Sequence, residues 1–176
     1  DMTVYGSPTL ENDYVDVDLG DGYKFSGIDL EGDFTFSVTA LLEEKVVGYL
    51  FASHDHLIGT EAEAFYFFYY ENINKMRIGC GGVAYDVPVS ADISTNKGTY
   101  NHYVFQRDGE LLKFYYNGTL IDSVAIPTTT MTINELFYST LHNVRGKAKH
   151  VMIANSLVAP ADCDPTFYSG EEQGTT

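Results

Sequence analysis

The feature that most constrains this chain is the run Gly98–Ile126, GTYNHYVFQRDGELLKFYYNGTLIDSVAI. It reads as three strands, Tyr100–Arg107, Leu111–Tyr116 and Thr119–Ile126, separated by Asp108-Gly109 and Asn117-Gly118. Asp-Gly and Asn-Gly accept the positive φ that tight hairpin turns need, so the segment predicts an antiparallel meander. A chain with such a meander at its centre must bury one face of the sheet against another layer.

The rest of the sequence supplies that layer. Short apolar or alternating runs recur between Gly, Asp and Asn punctuation, which is the pattern of a sandwich or barrel. In 14–19, Val15, Val17 and Leu19 share one face, and Asp16 and Asp18 the other. Residues 33–42 place Phe34, Phe36 and Val38 on one face. Further strands are expected over 46–53, 65–70, 75–80, 83–87, 135–138 and 149–154. The 14 Tyr and 11 Phe favour strands because they fit a pleated, half-buried surface. At 176 residues the chain suits one domain, expected over 1–168, with a polar tail or linker over 169–176.

The formal net charge of −15 sets the partners that can be excluded. Such a field repels phosphate backbones and anionic membranes. No apolar run approaches the roughly 18 residues that span a bilayer, so membrane insertion is not expected. The acidic opening lacks a signal-peptide pattern, so the chain reads as a mature fragment, an excised domain or a protein exported by another route. Cys80 and Cys163 allow one disulfide and demand none.

The meander, together with Tyr23–Val38, Tyr49–Asp55 and Lys149–Leu157, resembles the laminin-G-like and concanavalin-A-like jelly rolls. In that family a Gly-Thr-Trp-x-His-Val segment leads into the meander. Here Gly98, Thr99 and His102 match, while Tyr100 stands at the Trp position of a chain without Trp. The resemblance covers about residues 14–160 and implies an all-β, two-sheet antiparallel sandwich with Tyr100 filling the Trp volume. The architecture hosts lectins, adhesion domains, glucanases and viral-fibre domains, so function rests on a site.

Catalytic patterns are weak. The glucanases of this fold set acids at alternate strand positions, and hydrolysis needs two carboxyls at a fixed separation. Glu31-Gly-Asp33 and Glu61-Ala-Glu63 lack the third acid at that spacing. Cys80 stands in Gly-Cys-Gly-Gly with no neighbouring base, and no Gly-x-Ser-x-Gly is present. The chain is therefore not expected to be an enzyme.

Binding patterns are stronger. His54-Asp55-His56 follows a strand at the rim where the resemblance implies calcium loops, making Asp55, Glu61 and Glu63 the candidate ligands. Asp16-x-Asp18-x-Gly-Asp21 departs from calcium-loop spacing and reads as solvated edge. Tyr66, Phe68 and Tyr70 share one face of an aromatic strand and Phe65, Phe67 and Tyr69 the other; an exposed face would offer rings for sugar C–H stacking, and the alternative is a strand buried on both sides between two layers. The candidate ligand-binding residues are His54, Asp55, His56, Tyr66, Tyr70, Tyr138, His142 and Asn143. Arg145-Gly-Lys147-Ala-Lys149-His150 forms a basic island, read as loop and strand edge. The Asn117-Gly-Thr119 sequon reads as turn structure.

These residues point to a non-catalytic glycan-binding or adhesion module of a larger extracellular, cell-surface or virion protein. Its partner would be a glycan or cell-surface receptor, and calcium is the one cofactor the resemblance admits. The alternatives are a structural or assembly domain of a phage tail, fibre or capsid, pairing with its own copies, and a polysaccharide-active hydrolase.

Overall fold

The computed structural model describes residues 2–10, 14–18, 21–42, 48–52, 66–70, 75–80, 83–88, 98–126, 131–137 and 146–169. They form an all-β sandwich of two seven-stranded antiparallel sheets. The first sheet runs β1(Met2–Tyr5), β4(Gly22–Leu30), β13(Met131–Leu136), β6(Gly48–Ala52), β7(Tyr66–Tyr70), β8(Lys75–Cys80) and β9(Val83–Pro88). The second runs β12(Thr119–Ala125), β11(Leu111–Tyr116), β10(Tyr100–Asp108), β5(Phe34–Leu42), β14(Gly146–Ala154), β3(Val15–Val17) and β2(Thr9–Leu10). Two short helices, α1(Pro160–Cys163) and α2(Pro165–Ser169), end the described chain.

The meander is β10–β11–β12, and its turns follow from their residues. Asp108 pairs with Leu111, so the first turn centres on Gly109-Glu110, and Gly109 has φ 59°. Positive φ at the first central residue alone is the type II′ pattern. Asn117 and Gly118 have φ 47° and 79°, the type I′ pattern. The Asn117 side chain also accepts from His102 N at 2.8 Å and donates to Asn101 Oδ1 at 3.0 Å. The amide nitrogen that a glycan would modify is thus part of the turn.

Alternation puts Phe34, Phe36, Val38, Tyr103, Phe105, Leu112, Phe114 and Tyr116 in the core, facing Leu30, Met131 and Ile133 of the other sheet. Phe105 pairs with Phe36 on one side and Phe114 on the other, with ring centroids 6.5 and 4.9 Å apart. This cross-strand aromatic row holds β5, β10 and β11 together.

One irregularity matters for the other sheet. Ile133 pairs with Ile28, but Glu135 pairs with Lys24. Gly27 stands in the extra stretch, where a Cβ would lie 2.6 Å from Thr132 Cγ2. Across this break the core side passes from Ile133 to Leu136, and from Leu30 to Tyr23 and Phe25.

Two expectations are corrected, and one question left open by the sequence is decided. Tyr100 does not fill a core volume. It lies on the opposite face of β10 from Tyr103 and Phe105, half-buried, with Lys149 Nζ 4.1 Å above its ring. The basic island is not at a strand edge, because β14 lies between β5 and β3, and Lys149 is buried. Cys163 is a buried free thiol, so it forms no bridge to Cys80.

Candidate functional site

Of the residues selected from sequence, His54, Asp55, His56, Glu61, Glu63, Tyr138, His142 and Asn143 lie outside the described residues. Tyr66 and Tyr70 begin and end β7, an interior strand between β6 and β8. Strand register sets their neighbours. Leu136, which packs on the core, pairs with Phe51, and the row continues through Phe67, Ile78 and Tyr85.

Further rows of cross-strand partners run beside it. Lys24 and Glu135 lead through Ala52 to Tyr66, Gly79 and Ala84. Tyr49 leads through Phe68 to Arg77 and Asp86. Tyr70 is followed by Lys75 and Pro88. Glu135 is 3 % exposed and lies 4.0 Å from Lys24 Nζ, so the first of these rows begins on a recessed ion pair.

A second polar cluster occupies the outer face of the other sheet, where the C-terminal segment covers it. Thr35, Ser37 and Thr39 of β5 alternate with the core residues and project outward with His102 and Gln106 of β10. Thr35 Oγ1 donates to Ser156 O at 2.8 Å and accepts from Val158 N at 3.0 Å. Gln106 Nε2 donates to Val158 O. His102 Nε2 lies 2.6 Å from Ser37 Oγ, and Nδ1 lies 2.8 Å from the Tyr168 hydroxyl. Thr39 donates to Asp164, whose other oxygen accepts from Thr166 Oγ1 at 2.8 Å and Phe167 N at 3.1 Å.

Burial sets the electrostatics of this cluster. It pushes His102 down to about 4, with Asp164 opposing and His150 adding to the shift. Burial also pushes Cys163 up to about 11 and Tyr168 up to about 12. Asp164 is pushed up by burial too, but the hydrogen bonds from Thr39, Thr166 and Phe167 outweigh this and hold it below the usual value. The Ser37–His102 contact superficially matches a nucleophile and its base. Both residues are fully buried, however, and the second imidazole nitrogen is spent on Tyr168. The arrangement seals a helix onto a sheet and gives substrate no access.

Two of the other acids singled out from sequence tie turns. Asp21 accepts from Ser7 N at 2.8 Å and from Asp18 N at 3.0 Å. Asp33 accepts from Gly109 N at 2.8 Å. Among the described residues no group of three or more His, Cys, Asp or Glu is placed to hold a metal ion.

No protein-family model matches the chain, and no curated protein matches its sequence. Solved structures do match its fold. A mutant of Trypanosoma rangeli sialidase displaying trans-sialidase activity aligns over 99 % of this chain at TM-score 0.64 and 13 % identity. The chain spans only 30 % of that sialidase. The Ruminococcus gnavus IT-sialidase CBM40, solved with α2,3-sialyllactose, aligns over 93 % of this chain and 99 % of its own, at TM-score 0.59 and 12 % identity. Domain 4 of AbnA, a GH43 extracellular arabinanase of Geobacillus stearothermophilus solved with arabinotriose, aligns over 93 % of this chain and 86 % of its own. Its TM-score is 0.58 and its identity 14 %. The fold is that of the β-sandwich carbohydrate-binding modules and lectin-like domains.

Proposed function

We propose that this chain is a non-catalytic glycan-binding module of a larger extracellular, cell-surface or virion protein. The observation that carries this reading is one of extent. The chain matches nearly the whole of a carbohydrate-binding module solved by itself, the CBM40 of a sialidase, but 30 % of another sialidase's chain. Those modules were solved with oligosaccharides, and the same use of the fold is proposed here. Asp33, one of the acids weighed for catalysis, holds the Gly109 turn, and the Ser37–His102 pair is buried under the C-terminal helices, which supports a binding role. Binding would use the Tyr66 and Tyr70 face and the rim residues His54, Asp55, His56, Tyr138, His142 and Asn143, with Asp55, Glu61 and Glu63 as ligands for a calcium ion.

A glycan array probed with the chain, with and without chelator, tests this. The expected result is selective retention on a subset of glycans. Loss of retention with chelator would assign the rim acids to calcium. Uniform failure to bind, at protein concentrations near millimolar, would remove the reading.

A further inference from the structure

We propose that the C-terminal segment 156–169 is an acid-released strap, which at low pH leaves the outer face of the second sheet while the two-sheet sandwich stays folded. The proposal is independent of the glycan-binding reading, and a chain that binds no glycan would leave it standing.

The strap lies outside the core. The buried core cluster and the apolar side chains packed against it come from the strands and from Ile126 and Phe137 beside them, and none comes from 156–169. Strands β5 and β10 turn those core residues inward and Thr35, Ser37, Thr39, His102 and Gln106 outward. Lifting the strap therefore uncovers the outer side chains and leaves the core row as it is. Of the strap's apolar side chains only Cys163 and Phe167 are buried, while Leu157 and Tyr168 are exposed. Helices of four and five residues add little stability of their own. A segment with so few buried apolar contacts opens more readily than the core beneath it.

What holds the strap is polar. Thr35 bonds to Ser156 O and Val158 N, Gln106 to Val158 O, Thr39 to Asp164, and His102 to the Tyr168 hydroxyl. Each of these groups exchanges its partner for water on opening, so their net loss is modest.

His102 makes the equilibrium sensitive to acid. It is fully buried, with the rings of Phe167 and Tyr168 centred 5.7 and 5.4 Å from its own. Asp164 of the strap and His150 of β14 are the charged or chargeable groups that act on it, in opposite directions. Cys163 and Tyr168 beside it are neutral, Lys149 lies over the Tyr100 ring, and Lys113 of β11 is held by Asp108. Burial outweighs these and keeps the closed-state imidazole at about 4, whereas lifting the strap returns it to water and to its ordinary 6.5. The open form takes up the proton first. Its population relative to the closed form rises about tenfold for each unit of pH lost between about 6.5 and 4, or about 300-fold across the window. His150 Nδ1 lies 3.9 Å from Asp164 Oδ1, so its cation would hold the strap rather than release it.

The test is residue-resolved amide hydrogen exchange of the full chain at pH 7, 5.5 and 4.5, expressed as protection relative to the intrinsic rate. The amides of Val158 and Phe167, which donate to Thr35 and Asp164, report the strap. Those of Phe36 and Phe105, on interior strands, report the sandwich. The strap amides should be protected at least about a hundredfold less than the sandwich amides at every pH, and their protection should fall about tenfold per unit. Low urea should speed exchange in the sandwich and barely alter it in the strap, because opening the strap exposes little surface. His102→Gln should abolish the strap's pH dependence, and His150→Asn, which tolerates the φ of 51° there, should keep it. Equal protection of strap and sandwich would overturn the strap. Strap protection unchanged from pH 7 to 4.5, or a pH dependence lost with His150→Asn, would overturn the trigger. The exchange profile of the unmodified chain decides the matter even if a variant fails to fold.

Discussion

The hydroxyl of Thr39 donates to the carboxylate of Asp164, 125 positions later in the chain. With His102 between Ser37 and Tyr168, this contact fastens the C-terminal helices across β5 and β10. A polar seal of this kind is stable only while His102 is neutral and Asp164 is charged, and the first predictions follow from that condition.

Acid should loosen the molecule in a defined window. The folded-state pKa of His102 is depressed from 6.5 to about 4, so the unfolded chain takes up the proton first. Its stabilising contribution is complete above about pH 6.5 and is lost as pH falls towards 4. That depression corresponds to about 3 kcal/mol. Asp164, also depressed, adds a further loss below its ordinary value of 3.8. Thermal melting between pH 7 and pH 4 should show the decline, and His102→Gln should flatten it. A melting temperature that rises on acidification across this range would contradict the assignment.

Removing the Asp164 carboxylate leaves Thr39, Thr166 Oγ1 and the Phe167 amide without their acceptor. Asp164→Ala should cost about 3 kcal/mol in denaturant unfolding, and Asp164→Asn less, because the isostere keeps part of the geometry. Equal costs for the two would show that the charge and its hydrogen bonds are immaterial.

Cys163 reports on the same seal. It is buried, and burial pushes its thiol to about 11, so little thiolate is present near neutrality. Alkylation of the native chain should be at least about a hundredfold slower than of the denatured chain, and Asp164→Ala should accelerate it. Reaction of native Cys163 at the denatured rate would mean the C-terminal helices do not cover it.

The two meander turns separate backbone strain from contact. Gly109 and Gly118 both have positive φ, at 59° and 79°. A Cβ at Gly109 meets nothing within 4 Å, whereas one at Gly118 lies 3.1 Å from Tyr168 Cε1. Gly109→Ala should therefore cost about 1 kcal/mol and Gly118→Ala more. Phe105→Ala, in the aromatic row of the core, should exceed both at about 3–5 kcal/mol. Chemical denaturation of the three variants ranks them directly.

The meander was legible because its information is local. Asn117-Gly118 selects its turn as read, while the first turn, read at Asp108-Gly109, centres one residue later on Gly109-Glu110; alternation then assigns Tyr103, Phe105, Phe114 and Tyr116 to the core. The long strand β4 was not legible, because Lys24, Ser26, Gly27 and Asp29 interrupt the apolar pattern where the strand is irregular. Gly27 stands there because Thr132 approaches closely, a contact from a distant strand. Helices of four and five residues are too short to show a 3.6-residue period, so α1 and α2 carried no signal. The basic island was misjudged because a strand's place in a sheet is set by pairings far along the chain, here with Val15–Val17 and β5. The His102–Asp164 seal was hidden for the same reason. Alternation places Tyr66 and Tyr70 on a shared face of β7, and the register of that strand with β6 and β8 depends on pairings the local sequence does not encode.

The most direct test of the central claim is equilibrium titration of the chain with the best-bound glycan from an array, with sugar release measured in the same sample. Saturable binding with the glycan recovered intact, weakened about tenfold by Tyr66→Ala with Tyr70→Ala, is the predicted result. Absence of binding to every glycan, or steady cleavage of the bound one, would contradict it.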